Sequence, residues 1–377
     1  MENETANLTT EKYFVATYGD ANLNAFSHWY SGIHGYVSLT ICAIGIPLNI
    51  LNIAVLTRKK LRTPINFILT WLAVFDMATM ISYVPFAIHF YCQNSAHSIS
   101  AAKNSKPWMT FLLVYLNISS TAHTISIWLA VALAILRHNH IHSPAKGSIT
   151  RSRRMIRARI AVVTIVVSSL LVMIPNFASH NLVEVHFRDN SSGYIFEAWN
   201  LGTGDEKPII VVGMLLYSCL AKLVPCVLII IYGGLLLVTL NNTRLKRSHR
   251  LTESASMRCH SLQRNVEMSR TTIMLLIVIV LFLLTELPQG VLIMCCIFKR
   301  NFFENVYIPL GDSMDIIALM NSSINFVLYC SMSKEFRVTF VKLICKIAHG
   351  GCGTRKQMQP SKNIHHRYTK EPMVNGL

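Results

Sequence analysis

Residues 273–297, IMLLIVIVLFLLTELPQGVLIMCCI, form a run of 25 residues in which Glu286 is the only charge. An apolar run of about 20 residues suffices to cross about 30 Å of hydrocarbon as a helix, so the segment reads as a membrane span. A carboxylate at mid-bilayer depth costs at least about 2.5 kcal/mol, and it persists only where it is paired or used. Pro288 follows closely and removes a backbone donor, which predicts a freed carbonyl and a kink. A buried acid beside a kink predicts a helix that binds something and moves.

The same composition extends along the chain. Of 377 residues, 52% are hydrophobic and 14% charged, with a mean hydropathy of +0.41, which places the protein among membrane proteins. Seven stretches are long enough to span, near residues 33–57, 65–90, 108–137, 156–178, 208–240, 272–297 and 306–330. The expected fold class is an all-α membrane protein, a seven-transmembrane-helix bundle over residues 33–330. An extracellular tail (1–32) precedes it, and a short amphipathic cytoplasmic helix (331–347) and a disordered cytoplasmic tail (348–377) follow.

Charge sets the expected orientation. Of 35 Lys and Arg, 27 fall in one alternate set of loops plus the C-terminal tail, and seven in the opposite set. The positive-inside rule puts the basic set in the cytoplasm and the N-terminus outside, in a multi-pass plasma-membrane topology. The net charge of +17 then reflects topology and contact with anionic membrane lipids, and no nucleic-acid partner is expected. Residues 1–20 lack an apolar core, so no cleavable signal peptide is expected. Sequons at Asn3, Asn7 and Asn190 fall outside and are candidate glycosylation sites. Those at Asn117, Asn241 and Asn321 fall in helices or the cytoplasm. Cys345 and Cys352 flank the end of the amphipathic stretch and are candidate palmitoylation sites, and an ordinary free cysteine is the competing reading. No metal-ligand spacing, phosphate loop or nucleophile motif stands out, and the chain is not expected to be an enzyme or to require a cofactor.

The polar residues inside the spans carry the remaining information. The second span contains Asp76. The third carries Ser119, His123, Ser126, Ala130 and Arg137 at intervals of three or four, hence on one face. His123 and Arg137 lie about 21 Å apart along a helix, which connects a mid-membrane site to the cytoplasmic surface. Lys222 precedes Pro225 in the fifth span. Asn321, Ser322, Asn325 and Tyr329 lie in the seventh, with Asp312 and Asp315 nearer its outer end.

These residues also carry a resemblance. Asn49, Leu72 with Asp76, Arg137 with Pro144, Pro225, Pro288, and Asn325 with Tyr329 followed by Phe336 resemble, in order and one set per helix, the landmarks of rhodopsin-like (class A) G protein-coupled receptors. The likeness covers residues 33–346. There are departures: Leu136-Arg137-His138 stands for Asp-Arg-Tyr, Asn325-Phe326-Val327-Leu328-Tyr329 for Asn-Pro-x-x-Tyr, and Thr285-Glu286-Leu287-Pro288 for Cys-Trp-x-Pro. The cysteine usual at the start of the third helix is absent, Leu112 lying about there, and so is its partner in the second outer loop. The strings 282–290 (FLLTELPQG), 123–129 (HTISIWL) and 321–326 (NSSINF) are similar to invertebrate myosuppressin and FMRFamide-like peptide receptors, the group that includes the sex peptide receptor.

The resemblance implies a plasma-membrane receptor for short amidated neuropeptides, often ending in Arg-Phe-amide, that signals to heterotrimeric G proteins. It implies Glu286, His123 and Lys222 at the pocket floor, with Gln289 beside them. Glu286 is either neutralised by Lys222 or the countercharge to a ligand arginine, a role that Asp312 and Asp315 compete for. Asp76, Ser126, Ser322 and Asn325 occupy the positions of an allosteric sodium site, with a water-filled polar network as the alternative. Arg137, Pro288, Asn325 and Tyr329 take the coupling and activation roles, although snorkelling to the interface is the default reading of Arg137. Arrestin is a further expected partner through Ser361 or Thr369. Residues 183–187 and 194–199 are candidate hairpin strands. A chemosensory or other-ligand receptor is the nearest alternative; a secondary transporter, driven by ion coupling at the intramembrane Asp, Lys and Glu, is the remote one.

Overall fold

The computed structural model describes residues 21–142, 148–187, 191–197, 207–250, 258–332 and 334–348. In order they form α1 (Ala21–Leu56), α2 (Pro64–Ala87, continued by a π turn over Ile88–Gln93), α3 (Lys106–His142), α4 (Ser148–Ser179), strands β1 (Leu182–His186) and β2 (Ser192–Phe196), and α5 (Pro208–Leu216, a π turn over Tyr217–Leu223, and Val224–Arg250). They continue as α6 (Arg258–Phe298), α7 (a π turn over Phe303–Tyr307, then Ile308–Met332) and α8 (Lys334–Ala348). Seven of these helices are long and apolar enough to cross a membrane. The candidate sites Asn3, Asn7, Asn190, Cys352, Ser361 and Thr369 lie outside the described residues.

The first helix starts at Ala21, not at residue 33, so the expected tail boundary falls inside a helix. The early turns carry Asn, Ser, His, Trp and Tyr, which hydropathy rejects but which form helix where water satisfies their polar groups. The sixth helix likewise begins at Arg258 rather than 272. The two strands pair antiparallel from Leu182 opposite Phe196 to His186 opposite Ser192, so the strand ends fall one to three residues earlier than expected.

Burial is the reverse of a soluble bundle. On α4, Ile160, Val163, Val167, Leu170 and Ile174 are all exposed, at intervals that make one stripe facing lipid. Inside, polar side chains meet one another: Asn49 of α1 donates to the Ser322 carbonyl of α7 at 3.1 Å. One apolar cluster joins the inner halves of α1 to α4 and α7 through Val55, Ile68, Leu129, Val162, Phe326 and Tyr329. Phe336 of α8 enters it, its ring 5.9 Å from that of Phe326, while Val338, Val341 and Ile344 stay exposed. That division suits a helix lying on a membrane surface. Cys345 is exposed on α8.

Candidate functional site

The site begins with Pro225. It has no N–H to give the Ala221 carbonyl, and its ring crowds that position. The turn before it widens: the Val224 amide reaches back five residues to the Cys219 carbonyl, closing the π turn. The carbonyl of Leu220 in that turn accepts from the Trp128 indole at 3.1 Å. One extra residue rotates the helix by about 100° relative to an unbroken one, and Lys222 turns into the bundle. Gly290 of α6 makes room, since a Cβ there would stand 2.9 Å from Lys222 Cβ. Ser218 Oγ donates to the Gly290 carbonyl at 2.8 Å, so the widened turn of α5 is tied to α6.

Lys222 and Glu286 then meet with 0% and 1% of their side chains exposed, Nζ to Oε2 at 2.7 Å. His123 Nε2 lies 3.3 Å from the same oxygen. The other carboxylate oxygen accepts from Asn321 Nδ2 and Thr285 Oγ1, each at 3.4 Å. The ammonium also stands 5.7 Å from the Tyr217 ring centroid. Four helices thus converge on one carboxylate, and the expected grouping of Glu286, Lys222 and His123 is present. Asn321, Thr285 and Tyr217 are additional members. Asn321 lies on the inward polar face of α7 already visible in the sequence, but nothing there signals that it reaches Glu286.

Nearer the outer end, Asp312 and Asp315 are half-buried. Tyr91 donates to Asp312 Oδ1, and Tyr83 donates to Asp315 Oδ2 at 3.2 Å. His34 Nε2 lies 2.6 Å from the Tyr83 oxygen. Neither aspartate has an ion-pair partner among the described residues. The tyrosines were not expected, because their partners lie more than two hundred residues away in the chain. Gln289 of α6 lies beside the Tyr307 hydroxyl at the start of α7.

From His123 a cavity continues along α3 toward Arg137. His123, Ser126, Ala130 and Arg137 line it from α3, as their spacing predicts, with Asp76, Ser322, Asn325 and Tyr329 opposite. Asn325 Nδ2 donates to Asp76 Oδ2 at 2.7 Å; Ser126 and Ser322 line the cavity beside that carboxylate, the Ser126 hydroxyl having no hydrogen-bond partner among the described residues. Arg137 does not snorkel outward. It lines the inner end of this cavity near Tyr329, half-buried and in no ion pair among the described residues.

The profile of the serpentine type 7TM GPCR chemoreceptors, Srw, matches residues 36–346. The chain belongs to this family of G protein-coupled receptors. The receptor is 29% identical to the Caenorhabditis elegans G-protein coupled receptor dmsr-1 over 356 residues, covering 83% of this chain and 68% of that one. It is 26% identical to the Drosophila melanogaster sex peptide receptor, covering 82% and 72%. It is 22% identical to the Drosophila FMRFamide receptor, covering 86% and 55%. Squid rhodopsin shares the fold, with a TM-score of 0.57 at 16% identity over 87% of this chain and 86% of that one. The receptor is therefore a multi-pass membrane signalling protein, not an enzyme and not a transporter. Coupling to a heterotrimeric G protein follows from the family.

Proposed function

We propose that the receptor answers to a short amidated peptide of the FMRFamide or myosuppressin type, and that Asp312 and Asp315 take the ligand's arginine. The observation that carries this reading is the contrast between acids. Glu286 already has a lysine at 2.7 Å, whereas Asp312 and Asp315 are held only by tyrosines. A guanidinium offers five donors in a planar fork and is matched bidentately by carboxylates. Glu286, Lys222 and His123 then form the floor beneath the ligand, with Gln289 beside it. The names of two relatives, the sex peptide receptor and the FMRFamide receptor, agree with a peptide ligand. The family's description as chemoreceptors favours a second reading, a small cationic chemosensory cue at the same two acids.

In this reading the N-terminus is outside and Arg137 meets the G protein. Pro288 is the pivot of α6, Asn325 and Tyr329 relay its motion, and arrestin binds the phosphorylated tail. Cys345 and Cys352 carry palmitate, while Asn3, Asn7 and Asn190 carry glycans. A screen in cells expressing the receptor with a promiscuous G protein tests the ligand class. Nanomolar activation by an Arg-Phe-amide peptide, lost in its free-acid form, is the expected result. Silence toward all amidated peptides with verified surface expression, alongside activation by small amines, selects the chemosensory reading.

Asp76, Ser126, Ser322 and Asn325 are also proposed to hold a sodium ion. Four oxygen-bearing side chains from three helices converge there, a donor set that suits a hard cation. Raising sodium against a choline control should weaken agonist binding in the wild type and leave Asp76→Asn unmoved. Equal affinity at both sodium levels in the wild type removes the proposal.

A further inference from the structure

On the outer side, the β1–β2 hairpin joins α4 to α5, and no cysteine occurs anywhere in residues 177–207. Its place is set instead by one residue of the loop before α3. The Tyr194 amide of β2 donates to the Asn104 carbonyl at 2.8 Å, and Asn104 Nδ2 donates back to the Tyr194 carbonyl at 3.2 Å. Asn104 thus meets β2 on the edge opposite β1, and both backbone groups of Tyr194 are engaged. The neighbouring Gly193 packs on this contact, where a Cβ would stand 2.8 Å from the Phe187 ring and 3.4 Å from Asn104 Cβ.

The clasp residue is itself held. Lys103, only 6% exposed, donates its ammonium to the carbonyls of Ser95, Ala96 and Ser98 at 2.6, 2.6 and 3.0 Å. No carboxylate pairs with it among the described residues. Three carbonyls match the three donors of an ammonium, so the loop folds around its own lysine. His89 Nε2 lies 3.1 Å from the Lys103 carbonyl, and its ring stacks on Trp108 of α3 at 3.7 Å. Asn104 Oδ1 accepts from the Ser100 amide at 3.3 Å. At the other end of the hairpin, Lys207 reaches both Glu197 oxygens at 2.7 Å and holds that carboxyl below the usual carboxylate range. That surface pair is solvated and contributes little.

We propose that Asn104, seated by the Lys103 knot, is the positioning residue of the extracellular hairpin, a hydrogen-bonded clasp that opens and closes without breaking a covalent bond. Hairpin placement is then independent of the redox state outside the cell, and β2 is held by the main-chain carbonyl and side-chain amide of Asn104 together, with the Lys106 ammonium 5.7 Å from the Tyr194 ring centroid. It follows that β2 protection responds to changes at Lys103 and Asn104 and to nothing a reductant does.

Amide hydrogen exchange on the full-length receptor in lipid nanodiscs tests this. In the wild type, exchange over Ser192–Phe196 should be the same with and without a phosphine reductant. Lys103→Met and Asn104→Ala should each speed that exchange at least tenfold, with the transmembrane helices unchanged. The double variant Asn104→Cys with Tyr194→Cys should form a disulfide, restore protection when oxidised and lose it on reduction, which keeps the test open if a single variant fails to fold. Wild-type exchange that rises in reductant, unchanged exchange in Asn104→Ala, or a cysteine pair that does not cross-link would each overturn the proposal.

Discussion

Replacing Lys222 by methionine should remove the receptor from the cell surface. The substitution leaves Glu286 buried at 1% exposure with only His123, Asn321 and Thr285 around it. Breaking one side of a buried ion pair costs about 3–5 kcal/mol, because the remaining charge has lost its compensation. That loss is a large share of a net stability of about 5–15 kcal/mol, and at the lower end of that range it leaves a substantial unfolded fraction. Glu286→Leu should do comparable damage by stranding the ammonium. The informative variant is the double one. Lys222→Met with Glu286→Leu removes both charges at similar volume, and buried pairs so replaced are often neutral or better in stability. Surface staining and thermal melting should therefore show two poor single variants and a recovered double variant, a coupling of roughly 3 kcal/mol in a double-mutant cycle. Normal surface levels of Lys222→Met with raised basal signalling would instead make the pair an activation switch.

The second large effect is expected at the outer acids. Asp312→Asn with Asp315→Asn keeps an acceptor for Tyr91 and Tyr83 and removes both charges. Stability and basal signalling should stay near wild type. Potency of an arginine-bearing amidated agonist should fall by roughly 30- to 3,000-fold, the range expected from about 2–5 kcal/mol for losing one side of a desolvated charge pair. Replacing the peptide's arginine by citrulline keeps its shape and removes its charge. On the wild type that analogue should lose about as much potency, and on the double asparagine variant it should lose little more. If both losses add in full, the arginine binds elsewhere and the proposed pairing is wrong.

Both expectations depend on partners that lie far apart in the chain, and here sequence and structure divide. The spans, the lone carboxylate of residues 273–297, the basic loops and the polar face of α3 were legible because each is a local property. Hydrocarbon thickness demands a minimum apolar length, and helical periodicity puts His123, Ser126, Ala130 and Arg137 on one stripe. Pairing of Glu286 with Lys222 rather than with a ligand was left open, because both outcomes fit the same residues. Asn321 was visible as an inward polar residue but not as the donor to Glu286. The tyrosines that hold Asp312 and Asp315 gave no signal, since a tyrosine at a helix end is ordinary at a membrane interface.

The start of α1 at Ala21 shows the opposite limit. Hydropathy locates where lipid begins, not where hydrogen bonding of the helix begins, so the outer turns of α1 were read as tail. The hairpin was expected from its place in the chain, yet what secures it, Asn104 against Tyr194, involves residues ninety positions apart.

The sequence by itself determined that this is a seven-helix membrane protein with one acid in the middle of its sixth span, because apolar length and charge are read against a solvent of known thickness. Only the tertiary structure decided which charges neutralise each other. Pro225 resets the phase of α5 through the π turn, and Gly290 lets α6 approach closely enough for Lys222 to reach Glu286. The facing of a side chain after such a turn depends on how the neighbouring helix packs, which no periodicity within a single segment encodes.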